Sequence, residues 1–105
     1  MLSEQFKALA DENRLAIVGF LAGGERCLCE VSSALEISPA LASHHVKRLD
    51  EAGLVKTRRQ GLWLHVSLDP EVFTELGEAL MKMGAEHPDP VPCCGPTVRK
   101  VAIDG

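Results

Sequence analysis

The sequence predicts a mainly α-helical domain with one small β-hairpin. Apolar residues recur at helical spacing in five stretches, and one later stretch alternates apolar and polar residues as a strand does. With 105 residues, of which 46% are hydrophobic and 25% charged, the chain has the size and composition of a single globular domain. No run approaches the roughly 18 uninterrupted apolar residues of a transmembrane helix, so we expect no membrane partner.

The first three helices follow from apolar spacing and from capping residues. Leu2, Phe6 and Leu9 lie at positions i, i+4 and i+7, which predicts a first helix that ends near Ala10. Asp11 caps a second helix, which a pair of glycines ends, and a short third helix covers about residues 29–35. The apolar residues expected to face inward from helices two and three are Leu15, Ile17, Val18, Leu21, Val31, Ala34 and Leu35.

A fourth helix and a hairpin follow. Ser38 supplies an N-cap hydroxyl and Pro39 a proline at the first helical position, while Gly53 ends the helix in a left-handed conformation. Residues 54–59 and 62–68 form the two strands, with the turn between them. The residues expected to face inward from the second strand are Leu62, Leu64, Val66 and Leu68.

A fifth helix opens at Asp69-Pro70, and the composition then changes. Four of the six prolines lie between residues 88 and 96, which predicts an extended tail. The order of three helices, a short turn, a helix, a hairpin and a last helix is that of a winged helix-turn-helix, in which helix four enters the DNA major groove. We therefore expect residues 1–84 to form a DNA-binding and dimerisation domain and residues 85–105 a proline-rich tail that carries Cys93-Cys94.

The charge distribution supports a DNA-binding face. The chain has a net charge of −4, but residues 44–61 carry five cations against two anions. Such a segment suits phosphates, although a solvated charged surface is the alternative. The chain has only four aromatic residues (Phe and Trp) and no tyrosine, which is too few for a surface on which the bases of single-stranded nucleic acid could stack. Duplex DNA is therefore the favoured partner. The predicted DNA-binding residues are Ser38, Ser43, His44, Lys47 and Arg48 on helix four and Lys56, Arg58 and Arg59 on the wing.

An apolar set on helices one and five predicts a homodimer. These helices carry more large apolar side chains than the core of one small subunit can bury, so we expect the rest to be buried between two subunits. The alternative to a dimer is that these side chains pack within their own subunit. The set is Phe6, Phe73, Leu76, Leu80 and Met83.

The four cysteines form two close pairs, Cys27 with Cys29 and Cys93 with Cys94. The N-terminus has no signal-peptide pattern, so we expect a cytoplasmic protein whose thiols stay reduced and act as metal ligands or redox groups. A helix N-terminus and the adjacent Arg26 both favour the thiolate form of the first pair. Because residues i and i+2 point to opposite sides of a helix, one ion bound to both sulfurs favours an unwound start to helix three. The alternatives are buried apolar cysteines for the first pair and an incidental pair for the second.

Three blocks of sequence, residues 6–17, residues 27–31 and residues 43–55 with the wing, resemble the ArsR/SmtB family of metal-responsive repressors. The resemblance covers about residues 2–84 and implies a homodimeric repressor that binds operator DNA and is released by a soft metal or metalloid ion. It further implies that Cys27-Leu28-Cys29 is the sensor of arsenic-type or cadmium/lead-type members. This sequence departs from the family pattern at two places. Pro39-Ala40 stand at the start of the recognition helix, and Ser32 stands where arsenic-type members often carry a third cysteine.

These features leave several inducers open. As(III) or Sb(III), which bind three sulfurs, are the preferred inducers, with a tail cysteine as the third ligand, and Cd(II) or Pb(II) are the alternative. A thiol redox switch is a second alternative. The histidines and carboxylates of the family's Zn(II) site on the last helix are not in place. No glycine-rich phosphate loop, catalytic carboxylate pair or Cys-His-Asp order indicates an enzyme.

Overall fold

The structure is a computed structural model that describes residues 2–85. It contains five helices and three strands, which are α1 (Leu2–Leu9), α2 (Glu12–Leu21), β1 (Arg26–Cys27), α3 (Leu28–Leu35), α4 (Pro39–Glu51), β2 (Val55–Gln60), β3 (Trp63–Leu68) and α5 (Pro70–Ala85). The predicted mainly α-helical winged helix-turn-helix is thereby confirmed, and the element bounds agree within one or two residues. None of the helices in this range is long and apolar enough to cross a bilayer.

The predicted caps stand at the helix ends. The Asp11 carboxylate accepts a hydrogen bond from the backbone N–H of Arg14 at 3.0 Å and starts α2. The Ser38 hydroxyl accepts one from the N–H of Leu41 at 3.1 Å, with Pro39 in the first turn of α4. Gly53 follows α4 with φ of 78°, the left-handed conformation that glycine adopts without strain. These local signals therefore set where α2 and α4 begin and where α4 ends.

The sheet has three antiparallel strands in the order β1-β3-β2, so β3 is its central strand. β2 and β3 form the predicted wing, with Arg58 opposite His65. The two-residue strand β1 pairs with β3, placing Arg26 opposite Val66 and Cys27 opposite His65. β1 was not predicted, because two residues are too few to show the alternation by which a strand is recognised.

The core lies between α2, α3, α4 and the base of the wing. Its fully buried side chains include Ile17, Val31, Leu49, Leu54 and Val66. Apolar side chains from α1 and α5, such as Phe6 and Phe73, pack against this cluster. Because α3, α4 and β3 share one core, the recognition helix and the wing are held in a fixed arrangement.

Three residues predicted to face inward do not. Leu15 is 54% exposed, because it stands two positions from the buried Ile17 and so points to the opposite side of α2. Ala34 is exposed on α3. Leu62 is 96% exposed, because it belongs to the turn at the wing tip, beyond the reach of the core. On β3 only Val66 is fully buried, while Leu64 and Leu68 are half-buried.

Candidate DNA interface and thiol pair

The recognition helix α4 has one buried and one exposed face. Ala42, His45, Val46 and Leu49 face the core at helical spacing. All five α4 residues predicted to bind DNA are exposed, namely Ser38, Ser43, His44, Lys47 and Arg48. Two of them already have local partners, since the Ser38 oxygen caps the helix and Arg48 Nη1 lies 3.7 Å from Glu51 Oε1. Ser43, His44 and Lys47 are exposed and have no such hydrogen bond or ion pair within residues 2–85.

A buried polar contact anchors α4 to α2. Only 6% of His45 is exposed, and its Nδ1 lies 3.3 Å from Nη1 of Arg14. The Asn13 amide nitrogen lies 3.5 Å from Nε2 of the same ring. Burial lowers the pKa of His45 below its ordinary value, the Asp11 carboxylate opposes this in part, and Arg14 adds to the lowering, so the ring is mainly neutral at neutral pH. Sequence reasoning missed this role, although the spacing of Ala42, His45, Val46 and Leu49 places His45 on the buried face.

The three wing cations differ in their surroundings. Arg58 is bound on several sides, with Nη2 at 2.7 Å from Oε1 of Glu25, Nε at 3.4 Å from Oε2, and Nη1 at 3.2 Å from Oε1 of Gln60. The hydrogen bond with Glu25 raises the pKa of Arg58 and lowers the pKa of Glu25. Lys56 and Arg59 are exposed and make no ion pair with residues 2–85. Within residues 2–85 these two cations have no competing carboxylate, whereas Arg58 must give up Glu25 before it can bind a phosphate.

The thiol pair stands where β1 meets α3. Cys27 is the N-cap of α3, with extended backbone angles (φ −70°, ψ 146°), and its Sγ accepts a hydrogen bond from the N–H of Cys29 at 3.3 Å. Glu30 completes the cap by accepting from the N–H of Cys27 at 3.0 Å. The two Sγ atoms are in direct contact as a disulfide, with the Cα atoms 5.3 Å apart. The expected unwinding of α3 is therefore unnecessary, because Cys27 precedes the helix and its extended backbone brings both sulfurs together.

A complete metal site is not formed by the described part of the chain. Within residues 2–85 no group of three or more His, Cys, Asp or Glu side chains is placed to hold a metal ion. Once the disulfide is reduced, Cys27 and Cys29 can provide two soft thiolate ligands, and Cys29 is exposed while Cys27 is 8% exposed. The predicted tail ligands Cys93 and Cys94 lie outside the described residues. The sulfur pair thus fits a thiophilic ion as part of its ligand set.

The residues predicted to form a dimer interface are not equally available. Phe6 and Phe73 are half-buried against the core, and Met83 is half-buried on α5. Leu80 is 54% exposed. Leu76 is only 4% exposed within its own subunit, so it packs into the core, which corrects its assignment to an interface. Leu80, one turn later on α5, faces outward.

Residues 11–57, which span the second helix to the wing, match the family described as "Bacterial regulatory protein, arsR family". The arsenical resistance operon repressor of Bacillus subtilis is 37% identical over 79 residues, which cover 73% of this chain and 75% of that protein. The chain belongs to the ArsR family. Members of this family are DNA-binding transcriptional regulators and not enzymes, in agreement with the sequence analysis.

Other ArsR relatives have names that refer to different ions. The arsenical resistance operon repressor of Escherichia coli is 46% identical over 64% of this chain and 58% of that protein. A cadmium resistance regulatory protein CadC homologue of Staphylococcus aureus is 40% identical over 73% of this chain and 64% of that protein. The chain thus matches somewhat less than two thirds of the length of these two relatives.

Solved ArsR-family structures share the fold. A homodimeric winged helix-turn-helix DNA-binding domain from Mycobacterium bovis has a TM-score of 0.67 and 26% identity, covering 87% of this chain and 87% of that chain. The AntR antimony-specific transcriptional repressor has a TM-score of 0.63 and 27% identity, covering 79% of this chain and 77% of that chain.

Proposed function

We propose that this ArsR-family chain is a homodimeric repressor that binds duplex operator DNA and is released when As(III) or Sb(III) binds to cysteine thiolates. The observation that carries the proposal is the position of Cys27 and Cys29. Their sulfurs converge at the N-terminus of α3, the first helix of the helix-turn-helix, and Cys27 also lies opposite His65 of the wing in the sheet register. An ion at this point would bind at the junction of β1 and α3, next to the wing sheet and one helix before the recognition helix.

In the proposed complex the two DNA-reading elements have different tasks. Ser43 and His44 on the exposed face of α4 read base edges in the major groove, since hydroxyl and imidazole groups donate and accept hydrogen bonds there. Lys47, with Lys56 and Arg59 of the wing, binds phosphates and supplies affinity without sequence information. The exposure of all five side chains supports this division.

The proposed inducer site consists of Cys27 and Cys29 completed by a sulfur from Cys93 or Cys94. Thiolates select soft ions, and a pyramidal As(III) or Sb(III) centre takes three of them. The names of arsenical and antimony repressors among the relatives support this choice, while the cadmium-resistance relative supports Cd(II) or Pb(II) as the alternative.

The dimer is proposed to form through α1 and α5, with Leu80 and Met83 at its centre and Phe6 and Phe73 at its edge. The half-exposed Leu80 beside the buried Leu76 supports this arrangement, and the homodimeric Mycobacterium bovis domain supports dimerisation itself. A two-fold symmetric pair of recognition helices suits a palindromic operator with half-sites about 34–36 Å apart.

The test is release from a fluorescently labelled operator duplex, selected from a random library by the protein itself, in strong reductant. We expect As(III) and Sb(III) to abolish the anisotropy signal at lower concentrations than Cd(II) or Pb(II), with Zn(II) ineffective. Release by Cd(II) or Pb(II) at lower concentrations than As(III) would select the alternative inducer. No release by any thiophilic ion contradicts a metal-responsive repressor.

A thiol redox switch is a second candidate, because the sulfurs of Cys27 and Cys29 are in direct contact. In that function two thiols lose two electrons and two protons to a peroxide, which is reduced to water or an alcohol and water, and one S–S bond forms. Peroxide without any metal ion should then release DNA, with thiol-trapping mass spectrometry showing both cysteines blocked. Retained DNA binding by a protein that is fully oxidised at these cysteines rules this function out.

A further inference from the structure

Glu25 and Arg58 form the ion pair that joins the cysteine segment to the wing. The guanidinium presents Nη2 and Nε to the two carboxylate oxygens at 2.7 and 3.4 Å, across 33 positions of sequence. Both side chains are partly exposed, 38% for Glu25 and 54% for Arg58, so the pair can open without disturbing the core. His65 Nδ1 lies 3.9 Å from the same Oε1 and faces the pair from the central strand.

Strand register places this pair beside the thiols. Cys27 is opposite His65 on one side of β3, and Arg58 is opposite His65 on the other. Because directly opposed residues in antiparallel strands point to the same face, the three side chains form one row across the sheet. Glu25, two residues before Cys27, reaches the far end of that row. A displacement of residues 25–27 therefore moves the Glu25 carboxylate relative to Arg58.

A carboxylate and a phosphate use the same donors of an arginine. Both accept paired N–H bonds from the guanidinium, so Arg58 cannot bind Glu25 in this geometry and grip a DNA phosphate at once. In the free protein Arg58 is ion-paired with Glu25, while Lys56 and Arg59 make no ion pair within residues 2–85. The wing thus holds one cation whose availability depends on the segment that carries Cys27.

We propose that Glu25 competes with DNA phosphate for Arg58, so that Glu25 is the positioning residue through which the cysteine segment regulates the affinity of the wing for DNA. This inference rests on the proposed DNA-binding function and names the regulation of that site. In the DNA complex Arg58 leaves Glu25 for a phosphate. An ion bound by Cys27 and Cys29 holds residues 25–27 so that Glu25 retains Arg58, which weakens DNA binding. By reciprocity, DNA that captures Arg58 weakens ion binding by the same factor.

The first experiment measures binding to a labelled duplex of arbitrary sequence at several salt concentrations, because phosphate contacts do not depend on sequence. Glu25→Gln should bind about two- to fivefold more tightly at low salt, the range expected for an exposed ion pair. The slope of its log affinity against log salt concentration should also be steeper, by at most the amount that about one phosphate contact per subunit contributes. In an Arg58→Ala background the same change should have no effect. Glu25→Ala is the second variant, and far-UV circular dichroism checks the fold of each.

The matched control is Glu78→Gln, which removes the same charge from the exposed side of α5. It should change affinity by less than the Glu25 variants. If Glu25→Gln still tightens DNA binding in the Arg58→Ala background, the effect is one of general charge and the proposal is overturned. The same holds if Glu25→Gln tightens binding no more than Glu78→Gln does. If the parent protein binds duplex DNA but Glu25→Gln binds no more tightly, the proposal fails and the proposed function stands. If the parent binds no duplex at any salt concentration, both fail.

The second experiment tests the link to the inducer on the selected operator duplex. As(III) should weaken DNA binding of the parent by a larger factor than that of Glu25→Gln. As(III) binding to the free proteins, followed by thiolate–arsenic absorbance, should be weaker in Glu25→Gln by no more than the factor that couples the ion to the Glu25–Arg58 pair. Equal loss of DNA affinity in both proteins shows that the signal does not pass through Glu25 and overturns that part of the proposal.

Discussion

Arg14 of α2 meets His45 of α4 with Nη1 3.3 Å from Nδ1 in a largely buried contact. Its Nε also donates to the carbonyl oxygen of Ala8 at the end of α1, so one arginine joins three helices. Burial and this guanidinium both disfavour a positively charged His45, and the Asp11 carboxylate, which is hydrogen-bonded to the backbone of Arg14, offsets only part of that cost. The packing of the recognition helix α4 against α2 is therefore sensitive to the protonation of His45.

The first prediction concerns stability against pH. The pKa of His45 is lowered from its ordinary 6.5 in the folded state, so the unfolded chain binds more protons below that value. The free energy of unfolding should be constant above pH 6.5 and fall as the pH drops below it. The lowered pKa of Asp11, ordinarily 3.8, adds a further loss at still lower pH. Urea unfolding from about pH 3 to 8 covers both losses, and His45→Gln should flatten the part of the profile just below pH 6.5.

The second prediction separates the wing cations. Arg59→Ala should weaken binding to all duplexes and reduce the salt dependence by about one contact per subunit. Arg58→Ala should have a smaller effect, because Arg58 must first give up Glu25. Anisotropy titrations at several salt concentrations compare the two variants. An equal loss of affinity would show that the Glu25 contact does not restrain Arg58.

The third prediction concerns sequence recognition by α4. Ser43→Ala and His44→Ala should reduce the preference for operator over random DNA, with a good base contact worth about 1–3 kcal/mol. Their binding to random duplex should stay close to that of the parent. Competition of the operator complex by random DNA provides the measurement. A uniform loss of affinity for both duplexes would assign these residues to phosphates instead.

The fourth prediction concerns the cysteines. Cys27→Ser and Cys29→Ser should keep DNA binding and lose release by As(III), because a hydroxyl is a poor ligand for soft ions. Serine is also a good N-cap, so Cys27→Ser should preserve α3, whereas Cys27→Ala should cost about 1 kcal/mol of stability. Release is followed by anisotropy in strong reductant and stability by urea unfolding.

The tail cysteines provide the matching test of the third ligand. Cys93→Ser and Cys94→Ser should be mild singly, because either sulfur completes the site. The double variant should lose most of the As(III) response. If it responds like the parent, the tail does not supply a ligand.

The fifth prediction concerns the dimer. Leu80→Glu should shift the protein to monomer in sedimentation velocity and weaken operator binding, because a carboxylate replaces an apolar contact in the proposed interface. Met81→Glu, at a more exposed position off that stripe, is the control and should leave the oligomeric state unchanged. A dimer that persists in Leu80→Glu would exclude α5 as its centre.

Local sequence signals predicted most of the fold. Asp11, Ser38 and Gly53 act through their neighbours in the chain, so their roles are visible in the sequence. Leu62 was misplaced because alternation continues into the turn although the core does not. The exposed face of α4 was predicted because helical spacing alone separates it from the buried face.

The contacts between distant segments were not predictable in this way. The pairing of Cys27 with His65 depends on where β1 meets β3, and the pairing of Glu25 with Arg58 joins positions far apart in sequence. The placement of Cys27 as an N-cap was missed by one residue, yet that one position decides whether the two sulfurs can meet. Such relationships depend on tertiary packing, which spacing alone does not specify.

The short strand β1 also bears on how the protein avoids self-association. By pairing with β3 it covers one edge of the hairpin, so that β2 is the outer strand on the side facing away from the cysteines. Unpaired strand edges invite edge-to-edge association between molecules, and charged side chains oppose it. β2 carries Lys56, Arg58 and Arg59, which would repel the same strand of a second molecule. The cations suited to DNA thus also keep the wings of neighbouring molecules apart at high concentration.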